Sequence, residues 1–312
     1  MNTLDPGKEI KSRKKAGDII FENITLLFAL ILVGLVVYIA IEMFLDSSES
    51  RSKFGFGFIF SQNWDPVKED FGALPFIFGT IVSSLLALLI SLPVSIGVAV
   101  FLSEIIHKSL RTSISFLIEI LAAIPSIIYG FWGIFVFAPF MRSTVQPFLS
   151  TYFGFLPFFK GQIYGTGLLT ASIILAIMIT PIISSITRDV LKAIPVSQRE
   201  AAYALGATKW EAIKMALLNA RSGILGGSVL GLGRAIGETM AVTMVIGNKA
   251  QIKDSLFEPA YSMASVIANE FAEASGSLHI SSLIEIGLIL FGVTFIINSL
   301  ARILIYSVTR KA

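Results

Sequence analysis

Two ionisable residues, Arg234 and Glu238, stand inside an apolar, glycine-rich run, "GGSVLGLGRAIGETMAVTMVIGN". A charge at the centre of a membrane helix costs roughly 2.5–3.5 kcal/mol on insertion scales, so such a side chain belongs against protein or water rather than lipid. Four residues apart on a helix, the two share a face and can pair. Gly227 and Gly231 fall on nearly the same face, and Gly233 and Gly237 border it. Small residues at this spacing let a second helix, or a substrate, approach the backbone closely. One reading is a buried ion pair that locks two helices together. The other is a polar lining for a charged substrate, with Arg234 attracting an anion. Ionisable residues inside membrane segments mark substrate paths by default, which favours the second.

A second stretch differs in character: "VSQREAAYALGATKWEAIKMALLNA", residues 196–220, is polar, charged and helix-prone between long apolar segments. Ser197-Gln198-Arg199-Glu200 and Thr208-Lys209-Trp210-Glu211 both have the capping-box pattern, in which an N-cap hydroxyl and a glutamate three residues on satisfy each other's backbone N–H groups. Pro195 separates the first helix from what precedes it. Gly206 stands where that helix can end in the left-handed conformation that glycine tolerates. The pattern predicts a short helix, a glycine turn and a second helix. Glu200 can be read as no more than a cap. The apolar face of Ala201, Ala202 and Leu205, with Tyr203 beside it, has no other sizeable soluble segment to cover it, and it suits insertion into a partner's groove.

These segments sit in a chain of 312 residues that is 54% hydrophobic and only 14% charged, with a mean hydropathy of +0.80. Soluble domains carry about 25% charged residues, so the composition is that of a membrane protein. The chain has no cysteine, which excludes disulfides, thiolate metal sites and thiol nucleophiles; its two histidines, His107 and His279, lie too far apart in sequence to suggest a metal site. Six segments reach the roughly 20 apolar residues needed to span a bilayer as a helix: 22–45, 74–103, 113–138, 166–187, 222–247 and 283–308. The first is too long for a signal-peptide core and lacks a following cleavage pattern, so it reads as a retained span. Pro93, Pro125 and Pro181 mark expected kinks.

Basic residues orient the chain. The N-terminal cluster (Lys8, Lys11, Arg13, Lys14, Lys15), Lys108 with Arg111, the six between residues 188 and 221, and Arg310 with Lys311 outnumber those of the alternate loops. Both termini and the 188–221 segment are therefore expected in the cytoplasm, with loops 46–73, 139–165 and 248–282 outside. Those outer loops are rich in aromatic residues, expected to form an interfacial belt, and the last contains a short amphipathic helix near 264–274. Glu42, Glu119 and Glu285, near span ends, are expected to snorkel or to hydrogen-bond between helices. Pro125 can break its helix near mid-membrane, exposing backbone N–H groups and placing Ser126 and Tyr129 as donors. The organisation read from this is a cytoplasmic basic N-terminus, 1–21, followed by one membrane domain over 22–312 with a cytoplasmic loop at 188–221.

"REAAYALGATKW" resembles the EAA loop of binding-protein-dependent ABC importer permeases. Glu200, Ala201, Ala202 and Gly206 match its Glu-Ala-Ala, three residues, Gly signature, whereas Ala216-Leu217-Leu218-Asn219 replaces the usual Ile-x-Leu-Pro ending. "GLGRAIGETMAVTMVIGN", together with "WDPVKEDFGALPFIFGT" and "LAAIPSIIYGFWGIFV", is similar to PstC-type permeases of phosphate importers. The resemblance implies an all-α membrane protein, a type I ABC importer permease of MetI-like fold with six transmembrane helices, in a bacterial inner membrane. It implies that Glu200, Ala201, Ala202, Leu205 and Gly206 couple to an ATPase, and that Arg234 and Glu238 line a phosphate path; Gly227 and Gly231, from their spacing, are expected on the same path. Glu238 would offer a competing partner so that Arg234 can release its cargo. The implied partners are a homologous PstA-type permease, a PstB-type ATPase dimer and a PstS-type binding protein. Lipid surrounds the chain, and nucleic acid is not a partner.

No G-x-x-x-x-G-K-[ST] phosphate loop occurs, so ATP and Mg are expected on the ATPase chains, and this subunit is expected to be non-catalytic and without a cofactor of its own. Two alternatives remain at this level: a permease for molybdate or sulfate, or an ion-driven secondary transporter. The lack of a detectable inverted repeat and the presence of an EAA-like loop argue against the latter.

Overall fold

A computed structural model describes residues 16–310; Lys8, Lys11, Arg13, Lys14 and Lys15, and Lys311 at the other end, lie outside the described residues. The chain separates into two compact units, Met1–Leu45 and Asp46–Ala312. Helix α1 (Ala16–Asp46) makes up the described part of the first. It starts at Ala16 rather than near residue 22, and its side chains, Phe21, Leu32 and Tyr38 among them, are exposed around the whole circumference. A helix apolar on all sides is stable in that state when lipid surrounds it.

The second unit opens with short helices α2 (Ser48–Phe54) and α3 (Gly57–Phe60). A two-residue ribbon follows, with β1 (Trp64–Asp65) antiparallel to β2 (Asp70–Phe71). Helix α4 (Leu74–Val100) then runs straight into a π turn at Phe101–Ile105. Helix α5 (Lys108–Ala123) precedes a helical run built from α6 (Ser126–Trp132), a π turn, α7 (Ala138–Phe140), a second π turn and α8 (Gln146–Phe153). The chain continues through α9 (Leu168–Ala193), α10 (Val196–Ala204), α11 (Lys209–Asn219), α12 (Arg221–Ile236) and α13 (Met240–Val245). Helices α14 (Met263–Glu270) and α15 (Ser277–Arg310) complete it.

Among the described residues five helical runs are long and apolar enough to cross a membrane: Gly17–Asp46, Leu74–Ile105, Ser126–Phe153, Leu168–Ala193 and Ser277–Ser307. Helices α11 and α12, bent by 64° at their junction, supply a sixth when counted as one span. The all-α architecture expected from hydropathy is present, with changed boundaries. The third span runs from Ser126 to Phe153, not over 113–138, because Pro125 ends α5 outright instead of kinking it. Half of the expected 139–165 loop is consequently helix. Its polar residues mislead a hydropathy reading, yet Gln146 is fully buried and its Oε1 accepts from the Gly165 N–H at 3.0 Å. Pro93 and Pro181, in contrast, sit inside unbroken helices.

Helix α9 is the axis of the second unit, with 67% of its most apolar window buried. Its Ile174, Leu175, Met178, Ile179 and Ile183 pack with Ala87 of α4, Tyr129 of α6, Ala235 of α12 and Val242 and Val245 of α13. A separate apolar cluster at one end joins Ala99 of α4 and Leu191 of α9 to Ile213 and Ala216 of α11. The expected aromatic belt is, in its first loop, a packed core: Phe71 and Phe76 are fully buried, and Trp64 meets both edge-on at 4.8 Å between ring centroids.

Candidate functional site

The glycine-rich run is two helices, not one. Helix α12 closes at Ile236 with Gly237 as its cap, residues 237–239 are non-helical, and α13 begins at Met240. Glycine is a poor helix former, and a carboxylate is favourable at a helix start, where free N–H groups and the dipole carry positive charge. Glu238 fills that role, its Oε1 accepting from the Ala241 N–H at 3.4 Å. The expected Arg234–Glu238 pair is therefore not made: the helical register that would align them stops between them. Arg234 is exposed, and among the described residues no carboxylate lies within ion-pair distance of it and none of its guanidinium N–H groups finds a hydrogen-bond acceptor.

A second break faces the first. Ile124 is extended, and Pro125 stands as the N-cap of α6. The Tyr129 hydroxyl reaches back across the gap and donates to the Leu121 carbonyl at 2.8 Å. Tyr129 thus holds the break closed and has no proton left for a ligand, contrary to its expected role as a donor; Ser126 is half-buried beside it. Helix α6 packs directly on α13. A Cβ at Gly130 would come within 2.5 Å of Met244 Sδ and 3.3 Å of Ala241 Cα. Two broken spans meet at their breaks, with one unpartnered guanidinium beside them.

Gly227 and Gly231 do not line this place. Both are buried, and a Cβ at Gly231 would meet Ile183 Cδ1 at 2.8 Å, while one at Gly227 would meet Ile186 at 3.2 Å. They bring α12 close to α9, so the face they share belongs to helix packing. The open face of α12 carries Leu230 and Arg234, with Gly237 just beyond the helix.

The 196–220 segment folds as the predicted helix, turn and helix. Gly206 has φ +83° and follows α10 as expected, and the Ala207 N–H donates to the Ala202 carbonyl at 3.1 Å to close the helix end. The Thr208 capping box forms: Glu211 Oε2 accepts from the Thr208 N–H at 2.7 Å, and Thr208 Oγ1 accepts from the Glu211 N–H at 3.4 Å. The Thr208 N–H and hydroxyl hold the exposed Glu211 carboxyl below the ordinary glutamate range. The Ser197 box does not form, because the N-cap of α10 is Pro195, two residues earlier, and Ser197 lies inside the first turn with no capping bond. Glu200 is exposed, as are Ala201, Tyr203, Gly206 and Leu205, the last at 89%. Ala202 departs from expectation: it is buried against the chain's own body and is unavailable to a partner.

Three partnerships could not be read from spacing. Arg188, almost fully buried, joins α9 to α5 through Glu119 at 3.0 Å and also bonds its neighbour Asp189. Arg199 of α10 pairs with Glu104 at 2.7 Å. Glu270 of α14 accepts from Trp64 Nε1 at 2.8 Å and meets His279 Nε2 at 3.2 Å. Nearby, burial pushes the Tyr261 hydroxyl up to about 12, so it stays neutral, and it accepts from Asn269 Nδ2 at 3.0 Å. The only signal for such pairs is a charge in an apolar context, which demands a partner without naming it. Of the glutamates expected to snorkel or to bond between helices, Glu119 pairs with Arg188 and Glu285 is buried.

Broken spans and an exposed arginine in a membrane segment are features of a membrane transporter. Residues 91–310 match the family of binding-protein-dependent transport system inner membrane components. The phosphate transport system permease protein PstC of Mesorhizobium japonicum is 48% identical over 94% of this chain and 91% of its own length. Those of Pasteurella multocida (46%, over 94% of this chain and 93% of that one) and Haemophilus influenzae (47%, over 92% of both) are similarly close. The chain belongs to this permease family, in its PstC phosphate-transport branch. An inward-facing form of the MetNI methionine ABC transporter shares the fold, with a TM-score of 0.52 and 20% identity over 76% of this chain and 94% of that one. The MetI-like, multi-pass inner-membrane architecture follows, and permeases of this family are transport subunits of ABC importers that work with an ATPase and a binding protein.

Proposed function

We propose that this chain is the permease subunit through which inorganic phosphate enters the cell, driven by ATP hydrolysed on separate chains. The similarity to PstC permeases supports phosphate as the cargo. The observation that carries the reading at residue level is the unpartnered, exposed Arg234 beside two facing helix breaks. A guanidinium presents its N–H groups as a planar fork that matches an oxyanion bidentately. Non-helical backbone is tolerated at membrane depth only where it is covered by protein or lines a water-filled cavity. Arg234 attracts the anion; Glu238, which starts α13, sets a negative limit on how strongly the site as a whole holds it.

In this reading both termini and the 188–221 loop are cytoplasmic, and residues 22–312 act as one membrane domain. Glu200, Ala201, Leu205 and Gly206 form the face that docks into a PstB-type ATPase dimer. A PstA-type permease completes the path, and a PstS-type protein delivers phosphate from outside. ATP and Mg belong to the ATPase, and this chain carries no cofactor and catalyses no reaction.

The test is phosphate uptake into vesicles holding the assembled complex, with Arg234→Gln and Glu238→Gln compared with the unaltered chain. Uptake should fall steeply in the first and less in the second. Unimpaired uptake in both, in complexes of normal composition, would leave these residues a structural role only. Competition by sulfate and arsenate reads the selectivity.

A further inference from the structure

Helix α10 exposes most of its residues and buries only Ala202 among them. Its polar anchor is Arg199. The guanidinium turns back toward the preceding span: Nη1 donates to the Ile194 carbonyl at 3.0 Å, and Nη2 donates to the Leu191 carbonyl at 2.8 Å and to Glu104 Oε1 at 2.7 Å. Both side chains are largely covered, 18% exposed for Arg199 and 13% for Glu104. Leu191 and Ile194 lie at the end of α9, where carbonyls lack helical partners and a positive charge is favourable. Glu104 lies in the π turn that ends the α4 span; such turns recur at functional places in helices. One guanidinium therefore ties the start of α10 to the ends of both α9 and α4.

These two helices are also the ones that hold the broken span. Helix α9 receives α12 at Gly227 and Gly231, and α4 shares its core with α9 through Ala87. Around the anchor, Ala99, Leu191, Ile213 and Ala216 make an apolar cluster. Apolar contacts are non-directional and can slide, whereas a charge-assisted fork on three acceptors fixes orientation as well as distance. Gln198 adds a lateral bond from α10 to Asn219 at the end of α11, at 2.9 Å.

We propose that Arg199 and Glu104 are positioning residues for coupling: they carry a displacement of α10 into the α4 and α9 spans and so to the break that holds Arg234. This rests on the reading of α10 as the ATPase-docking helix. Neither residue touches cargo or nucleotide. A merely structural pair would keep the loop folded and leave stoichiometry alone.

The experiment uses the complete complex, reconstituted in proteoliposomes with phosphate-loaded binding protein, and measures phosphate imported per ATP hydrolysed. Glu104→Gln is the decisive variant because it lies off the docking helix and preserves shape. The expected result is a complex that retains its ATPase chains but imports about fivefold less phosphate per ATP, the low end of coupling energies between sites. Arg199→Lys should shift the ratio the same way, since a point-like ammonium cannot span three acceptors in fixed directions. A ratio within about twofold of the unaltered complex for both variants overturns the proposal. So does loss of the ATPase chains with a normal ratio in what remains, which would make the pair a support for docking. If the unaltered complex hydrolyses ATP yet imports no phosphate, the functional reading fails first and the coupling role falls with it.

Discussion

Arg199 and Arg234 are the same residue type in opposite states. Arg199 is largely buried, and two helix-end carbonyls and the Glu104 carboxylate accept from its Nη1 and Nη2 groups. Arg234 is exposed, and among the described residues it has neither a carboxylate nor a hydrogen-bond acceptor. A guanidinium bound to three acceptors is a joint, because moving it means breaking charge-assisted bonds in a place with little water to replace them. An unsatisfied one in a membrane segment is costly unless something polar visits it. On the function proposed above, the difference places force transmission at one end of the second unit and anion contact at the helix breaks.

The strongest way to break the comparison is at Arg234. A hydrogen bond to a charged partner is worth roughly 1.5–3 kcal/mol, so Arg234→Gln should lower the initial rate of phosphate uptake by about 10- to 100-fold. Arg234→Lys should recover part of that loss, since it keeps the charge and loses the fork. Both are read as radiolabelled phosphate uptake in complexes that retain their ATPase. If Arg234→Gln transports normally, exposure at this position has no functional meaning and the contrast with Arg199 collapses.

A smaller effect is expected where α12 meets α9. Gly231→Leu places a side chain where even a Cβ stands 2.8 Å from Ile183 Cδ1. Overpacking of this kind costs typically about 1–3 kcal/mol, so the melting temperature of the detergent-purified complex should drop. Gly231→Ala should cost less, because the facing atom is the movable end of an isoleucine. A normal melting temperature for the leucine variant would return Gly231 to the open face, where the sequence alone had placed it.

How far the sequence carries can be judged from these same residues. Span number and helix class were legible because a run of apolar residues long enough to cross a bilayer has few other folds. The 206 turn was legible because a glycine after a short helix has a defined geometric use, and φ +83° there bears it out. The Arg234–Glu238 pairing failed because a four-residue spacing implies contact only on an unbroken helix, and nothing local announces that the helix stops at Ile236. The buried role of Gly227 and Gly231 was ambiguous for a related reason: small residues admit a helix or a ligand equally well. Arg188 with Glu119, 69 residues apart, and Arg199 with Glu104, 95 apart, depend on which helix ends the fold brings together. No periodicity encodes that.

Glu238 sharpens the contrast further, since its carboxylate serves α13 rather than Arg234. Glu238→Gln keeps an oxygen for the Ala241 N–H and should reduce uptake modestly. Glu238→Ala removes the acceptor at the helix start, a loss of about 1 kcal/mol, and should reduce uptake about fivefold. Were Glu238→Gln to match Arg234→Gln in severity, the negative charge itself would be part of the cargo path.

The smallest effect concerns the 196–220 segment, where two identical-looking patterns gave one real cap. Thr208→Ala should loosen the first turn of α11, because it removes the Oγ1 that accepts from the Glu211 N–H, whereas Ser197→Ala should change nothing, because Ser197 caps no helix end. The readout is hydrogen–deuterium exchange of the amides at 208–212. The pH dependence has a definite sign. The folded-state carboxyl of Glu211 is held below its ordinary value by the Thr208 N–H and hydroxyl. Its contribution is therefore fully present above the ordinary glutamate pKa and is lost as pH falls through the lowered one. Protection of the α11 first turn should weaken on acidification in the unaltered chain, and less so in Thr208→Ala, where one source of the shift is gone. Equal protection of 208–212 in Ser197→Ala and Thr208→Ala at neutral pH would mean that the Thr208 box does not hold the first turn of α11.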